Sequence, residues 1–163
     1  MLKQFEVNIL KNDLFNKTDK LLIAFSGGVD SVVLCDLLTK AGYHFDLAHC
    51  NFQLRGTEAN DDTSFCETYA KLIHAKCHTI YFNTKNYAVE NKLSIQMAAR
   101  ELRYKWFKEL ISEHKFLRFE YQMPDEYRLD ELLKSFCSNL SIPFEVFDTE
   151  HFYSTRQELG ILF

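Results

Sequence analysis

The chain has 163 residues, 47% of them apolar and 15% aromatic, enough for a single-domain core and too apolar for a disordered segment. Its formal charge of −4 means that any nucleic-acid contact must come from a local basic patch. Its five cysteines never form C-x-x-C, so reduced thiols are expected rather than a disulfide framework, a zinc site or an iron–sulfur site.

Taken in order, Leu2, Phe5 and Ile9 recur at helical spacing and predict a short N-terminal helix. Charges interrupt this opening stretch and no apolar run approaches membrane-spanning length, which points to a soluble, cytoplasmic protein. LLIAF (21–25) is an uninterrupted apolar run ending at a glycine pair, the mark of a strand buried on both faces. SVVLCDLLTKAG follows at helical period and stops at Gly42. HFDLAHC (44–50) reads as a second strand. Residues 58–75 read as an amphipathic helix with Phe65, Tyr69, Leu72 and Ile73 inward, and CHTIYF (77–82) as a third strand.

Ser94 then caps a long helix reaching His114, with Ile95, Ala98, Ala99, Leu102, Trp106 and Leu110 on one stripe. LRFEY (117–121) predicts a fourth strand. Asp125 to Leu140 predicts a helix with Leu129, Leu132, Leu133, Phe136 and Leu140 inward. FEVFD (144–148) predicts a fifth strand, and a frayed helical tail closes the chain. Strands alternating with helices imply an α/β fold, a three-layer Rossmann-like parallel sheet of about five strands.

Charge changes along the chain more sharply than topology does. Residues 1–117 carry a net +1 and residues 118–163 a net −5. The reversal falls inside ISEHKFLRFEYQMPDEYRLDELLK and raises the possibility of a join between two kinds of sequence.

The stretch that carries chemistry is Ser26-Gly27-Gly28-Val29-Asp30-Ser31. A buried strand runs into two glycines, then an acid, a hydroxyl and a helix. Glycines let the backbone approach a ligand, and the helix start offers N–H groups and the positive end of its dipole. Ser26 and Ser31 can donate to phosphate oxygens. Asp30 would repel phosphate unless it binds Mg²⁺ or a protonated group, so it points to a metal-bound nucleotide and is the candidate metal ligand. There is neither a Gly-Lys-Ser/Thr nor a G-x-G-x-x-G, so the loop is of another kind than those two. The plainer reading is a glycine-rich βα turn with no ligand.

These residues carry a resemblance. IAFSGGVDSVVL resembles the motif of the PP-loop ATP pyrophosphatases, which adenylate a carbonyl or carboxyl oxygen and release pyrophosphate. DLAHCNFQLRGTEANDDTSFC is similar to the second-strand block of the tRNA(Ile)-lysidine synthase family, H-x-N-H-x-L-R. His49, Asn51, Leu54, Arg55 and Gly56 match, while Phe52 replaces the second His. SIQMAARELRYKWF resembles the A-R-x-x-R-Y helix of the same family, with Ala99, Arg100, Arg103 and Tyr104 in place. The resemblance spans residues 1 to about 116.

It implies an ATP-dependent ligase that adenylates the wobble cytidine of tRNA(Ile), in the anticodon region, and joins L-lysine to it, with ATP and Mg²⁺ as cofactors. Ser26, Gly27, Gly28, Val29, Asp30, Ser31 and Arg55 are then the nucleotide-binding residues, and Asp30, Arg100 and Arg103 the catalytic ones. On the helix, Arg100, Arg103 and Tyr104 lie off the apolar stripe, flanked by Lys105 and Lys108. That face suits phosphates or a stacked base, or is simply a solvated helix face. Arg55 is expected beside the first loop at the carboxyl edge of the sheet. His49 reads as a strand-end packing residue, and Asp61 and Asp62 as acids suited to their own helix start.

In the lysidine synthases a block resembling A-H-H-A-D-D-x-x-E-T follows the long helix, and its acids help to handle ATP and metal. Here RFEYQMPDEYRLDELLKSFCSNLSIPFEVFDTEHFYSTRQEL follows, which resembles the N-terminal α/β domain of bacterial photolyase-related proteins. The implied organisation is a truncated ligase domain, 1–116, and a βαβ segment, 117–163, able to extend the same sheet. No flavin is expected, because only the N-terminal segment of that second family is matched. The alternative to a ligase is a nucleotide-binding module that keeps the loop and lacks ligation chemistry, a pseudoenzyme. A tRNA thiolase is disfavoured by the absence of paired cysteines.

Overall fold

The structure is a computed structural model and describes residues 1–124 and 127–147. The chain divides into two compact units, Met1–Leu102 and Arg103–Phe163.

The first unit opens with helix α1 (Leu2–Lys11), which buries Ile9. Strand β1 (Lys20–Ala24) leads through the glycine pair into α2 (Val29–Lys40). Strand β2 (His44–Asn51), helix α3 (Thr57–Leu72) and strand β3 (Cys77–Tyr81) follow. The three strands are parallel in the order β1-β2-β3, with Ala24 opposite Ala48 and Asn51 opposite Tyr81 at their carboxyl ends. β2 is central and the most buried strand, whereas β1 is half-buried along its length rather than enclosed on both faces. Alternation puts Phe45, Leu47, His49 and Asn51 on one face of β2. Phe45 and Leu47 pack there with Ile9, Cys35, Leu38, Cys66 and Ala70 from the three helices. Burial at that density favours folding by roughly 1.5–3 kcal/mol per large side chain.

Gly42 ends α2 as expected. It adopts φ +74, and the N–H groups of Gly42 and Tyr43 return to the carbonyls of Thr39 and Leu38. A short helix, α4 (Thr84–Glu90), lies where the sequence reading had no element. Asn83 caps it, accepting a bond from the Asn86 N–H at 3.2 Å, and buried Thr84 donates to the Phe52 carbonyl at 2.8 Å. The long helix α5 (Ile95–His114) is capped by Ser94, whose hydroxyl accepts from the Met97 N–H at 3.2 Å. It begins in the first unit and ends in the second.

The second unit contains β4 (Phe119–Gln122), α6 (Tyr127–Ser138) and β5 (Phe144–Phe147). β4 and β5 are parallel to each other and form their own two-stranded sheet, with Phe119 opposite Phe144. The five strands expected are therefore present, as three plus two. Ile111, Phe136 and Cys137 centre this unit's core, joined by Tyr104, Phe107, Phe116, Phe119 and Tyr121. The tail expected beyond Phe147 lies outside the described residues, as do Asp125 and Glu126 at the expected start of α6.

Two inward faces differ from expectation. On α3 the buried residues are Thr63, Cys66 and Ala70, while Phe65 is 47% and Leu72 74% exposed. The cause is polar: Thr63 turns inward to reach His49 and Asn51, which rotates the helix face away from Leu72. Ile95, expected on the apolar stripe of α5, is exposed, and Ile111 is buried toward its far end.

Candidate phosphate-binding loop

The loop between β1 and α2 is shaped by its glycines. Gly27 adopts φ +80, and a β-carbon added there would stand 3.1 Å from Cys66 Sγ and 3.5 Å from the Phe65 ring. Both the left-handed backbone and the sulfur beneath it require glycine. Gly28 is the N-cap of α2 in an extended conformation, φ −74 and ψ 164, so the chain turns directly from the loop into the helix. Ser26, Gly28, Val29 and Asp30 are exposed, while Gly27 and Ser31 are half-buried.

Within the loop the protons can be assigned. The Ser31 hydroxyl donates to the Gly28 carbonyl at 2.8 Å. Ser26 Oγ accepts from the Gly28 N–H at 3.2 Å and lies 3.2 Å from Ser31 Oγ, to which its own proton is directed. Two hydroxyls and the start of a twelve-residue helix are thus gathered at one solvent-facing point. The first-turn N–H groups of a helix lack intrahelical partners, so an anion is stabilised there. Asp30, the one acid in the first turn of α2, projects from the same point.

Beneath the loop sits a group of buried polar side chains. His49 is 4% and Asn51 2% exposed. His49 Nδ1 lies 3.0 Å from the Phe25 carbonyl and 3.3 Å from Cys66 Sγ, and its Nε2 lies 3.2 Å from Thr63 Oγ1. Asn51 Nδ2 donates to Thr63 Oγ1 and to the Ala59 carbonyl, each at 2.9 Å, and its Oδ1 accepts from the Gln53 N–H at 2.9 Å. Phe25 also stacks on Tyr69, with ring centroids 5.4 Å apart. Burial pushes the Cys66 and Cys35 thiols up to about 12, with the negative charges near Cys66 adding to the effect, so both sulfurs are neutral packing groups.

His49 and Asn51 matched the H-x-N pattern in the sequence, but their joint role was not read from it. The available signal was their spacing of two on a strand, which places both side chains on the helix-covered face.

The other site candidates are distributed as follows. Arg55 is exposed in the β2–α3 connection, directly before Gly56, which adopts φ +58 as the N-cap of α3. Arg100 and Arg103 are half-buried on α5, Arg100 in the first unit and Arg103 at the start of the second. Lys105 and Lys108 are exposed. Tyr104 differs from the stacking role expected of it. Its ring packs 5.3 Å from Phe136 and edge-on to Phe107, so the aromatic surface is used for the core of the second unit. Phe52, at the position of the missing second His, stacks on Phe82 at 5.6 Å.

No helix among the described residues is long and apolar enough to cross a membrane. The family model described as PP-loop domain matches residues 1–121. A tRNA(Ile)-lysidine synthase from Bacteroides thetaiotaomicron is 50% identical over 105 residues, covering 64% of this chain and 25% of that protein. One from Porphyromonas gingivalis is 44% identical over 114 residues, covering 69% of this chain and 25% of that protein. The chain therefore spans about a quarter of the length of the curated relatives it matches. A solved structure described as a predicted subunit of a tRNA methyltransferase from Methanocaldococcus jannaschii superposes with a TM-score of 0.49 at 19% identity, over 87% of this chain and 74% of that one. By the match that runs through both the strand–loop–helix site and the β2–α3 block, this chain belongs to the PP-loop domain family.

Proposed function

We propose that the Ser26–Ser31 loop binds the phosphates of ATP and that the chain acts as the nucleotide-activating part of a tRNA(Ile)-lysidine synthase-type ligase. The observation that carries the reading is the gathering of Ser26 Oγ, Ser31 Oγ and the start of α2 around Gly27 and Gly28 at one exposed point. The relatives' names support tRNA(Ile) as the substrate class; L-lysine as the group joined is what the family resemblance implies.

In this reading a phosphate oxygen competes for the two hydroxyl protons and for the N–H groups of Gly28 and the first turn of α2. Departing pyrophosphate would be held by the same donors, which lowers the cost of charge developing on it. Asp30 fits Mg²⁺ as an exposed single carboxylate beside a phosphate site, because that ion is commonly held by one or two carboxylates and the nucleotide's own oxygens. When bound, the ion would offset the charge on the phosphates. Arg55, at the carboxyl end of β2, is assigned to the nucleotide, and Arg100 and Arg103 to the activated cytidine or its phosphates.

We also propose that residues 1–116 and 117–163 are two sequence pieces. The charge reversal supports this, as does a PP-loop match that stops at residue 121. Limited proteolysis tests whether the second piece extends the sheet of the first: early cleavage within 116–124 with only the first piece surviving would overturn that extension.

The functional test is incorporation of labelled lysine into tRNA(Ile) by the purified chain with ATP and Mg²⁺. Ligation that is lost in Arg100→Ala and Arg103→Ala supports the full reading. ATP binding without ligation would instead favour the nucleotide-binding module.

A further inference from the structure

We infer that His49 is a positioning residue, the link in a one-directional hydrogen-bond relay that ties the phosphate loop to the β2–α3 connection. Its functional weight rests on the phosphate-site reading above, whereas the relay itself rests on geometry alone.

The direction of each bond follows from what each partner can do. The Phe25 carbonyl only accepts, so the hydrogen on His49 must sit on Nδ1, 3.0 Å away. With Nδ1 protonated, Cys66 Sγ at 3.3 Å is a secondary acceptor of the same hydrogen, and the neutral thiol suits that role. Nε2 then accepts, and the group facing it at 3.2 Å is the Thr63 hydroxyl. That hydroxyl has one proton and two acceptors near it, His49 Nε2 and the Ala59 carbonyl at 3.0 Å. Ala59 already receives an Asn51 Nδ2 hydrogen at 2.9 Å, so the Thr63 proton is needed at His49, which has no other donor in these contacts. Thr63 Oγ1 accepts the second Asn51 hydrogen at 2.9 Å, and Asn51 Oδ1 accepts the Gln53 N–H at 2.9 Å.

The result is a continuous chain, Gln53 N–H to Asn51, Asn51 to Thr63, Thr63 to His49, His49 to the Phe25 carbonyl. Each member is satisfied in one proton arrangement, and reversing one bond orphans a buried group. One end is the residue preceding Ser26. The other is Gln53, which adopts φ +51 two residues before Arg55. Two loops at the carboxyl edge of the sheet, one bearing the phosphate donors and one bearing Arg55, are thereby held to a common buried scaffold.

Two variants separate the ends of the relay. In His49→Asn the amide nitrogen occupies the place of Nδ1 and keeps the bond to Phe25. In His49→Gln the amide oxygen takes the place of Nε2 and accepts from the Thr63 hydroxyl, so the Thr63 side is kept and the bond to the loop is lost. His49→Gln should weaken Mg-ATP binding about tenfold, as for one lost hydrogen bond, with His49→Asn clearly closer to the parent chain. Long-range ¹H–¹⁵N spectra of the unaltered chain supply a readout that needs neither a variant nor a ligand: His49 should show the Nδ1–H tautomer. Thr63→Val, a change on α3, should shift the backbone amides of Gly27 and Gly28. An Nε2–H tautomer, or Gly27 and Gly28 amides unmoved in Thr63→Val, would overturn the relay. Equal binding by the Asn and Gln variants would overturn the assignment of His49 to loop positioning. Absence of Mg-ATP binding by the unaltered chain defeats the phosphate-site reading instead, and the tautomer and amide shifts still decide the relay.

Discussion

Both units carry ion pairs, but among the described residues they differ in how many polar side chains they bury. In the first, His49, Asn51, Thr63 and Thr84 are buried and bonded to backbone and to one another. In the second, among the described residues, charged side chains form ion pairs: Arg118 with Glu120 at 2.6 Å and Glu145 at 3.5 Å, and Lys134 with Asp130 at 2.9 Å and Glu131 at 3.2 Å. Only Asp130 of that group is buried. Buried hydrogen bonds set positions, because each misplaced group loses its partner where water cannot replace it. Exposed ion pairs are screened and tolerate rearrangement. The difference teaches where precision is kept: under the loop of the first unit, and not around β4 and β5, whose cohesion comes from aromatic packing such as Phe119 edge-on to Phe136 at 5.1 Å.

The comparison breaks most sharply at Asn51. Asn51→Leu keeps the volume close and strips partners from the Gln53 N–H and from Thr63, and urea unfolding should show a loss of about 2–3 kcal/mol. A loss near zero would mean that the buried polar group is not what holds the first unit's loops.

An intermediate effect is expected from Asp46, the buried-edge acid of the first unit. Burial alone would raise its carboxyl, but hydrogen bonds from Lys20 and from the Lys76 N–H, with the charges of Lys20 and His78, bring it below the ordinary carboxylate value. A folded value below the unfolded one contributes stability that is complete above the unfolded value, about 3.9, and is lost as pH falls through the folded one. Stability against urea should therefore decline on acidification below about pH 4, and Asp46→Asn should flatten that decline. An unchanged acid slope in the variant would contradict the assignment.

The smallest effect belongs to the second unit. Arg118→Ala removes contacts to two carboxylates from a side chain that is 40% exposed, and should cost no more than about 1 kcal/mol. Thermal unfolding in low and high salt checks this. A larger, salt-insensitive loss would place the second unit beside the first in kind.

Much of this architecture was legible in the residues, and the misses share a cause. The loop was readable because Gly27, Gly28, Asp30 and Ser31 announce a strand-to-helix turn by composition alone. Gly42 likewise announced the end of α2. The helix α4 was missed because its seven residues, TKNYAVE, are too few to show an apolar period, although Asn83 and Thr84 carried a capping signal. The α3 face was misread because hydrophobic spacing favours Phe65 and Leu72, whereas Thr63 earns its inward place through hydrogen bonds that periodicity does not register. Tyr104 looked available beside two arginines because its packing partners, Phe107 and Phe136, include one that is distant in sequence. Strand pairing has the same character: nothing in FEYQ or FEVF specifies that β4 and β5 take each other as partners.

The most direct test of the central claim is calorimetric titration of the chain with Mg-ATP, beside Asp30→Ala and Ser31→Ala. The phosphate-loop account predicts saturable binding by the unaltered chain, weakened about tenfold or more in each variant, with their unfolding midpoints close to the parent's. Binding that is absent in the unaltered chain, or equally tight in both variants, would contradict it.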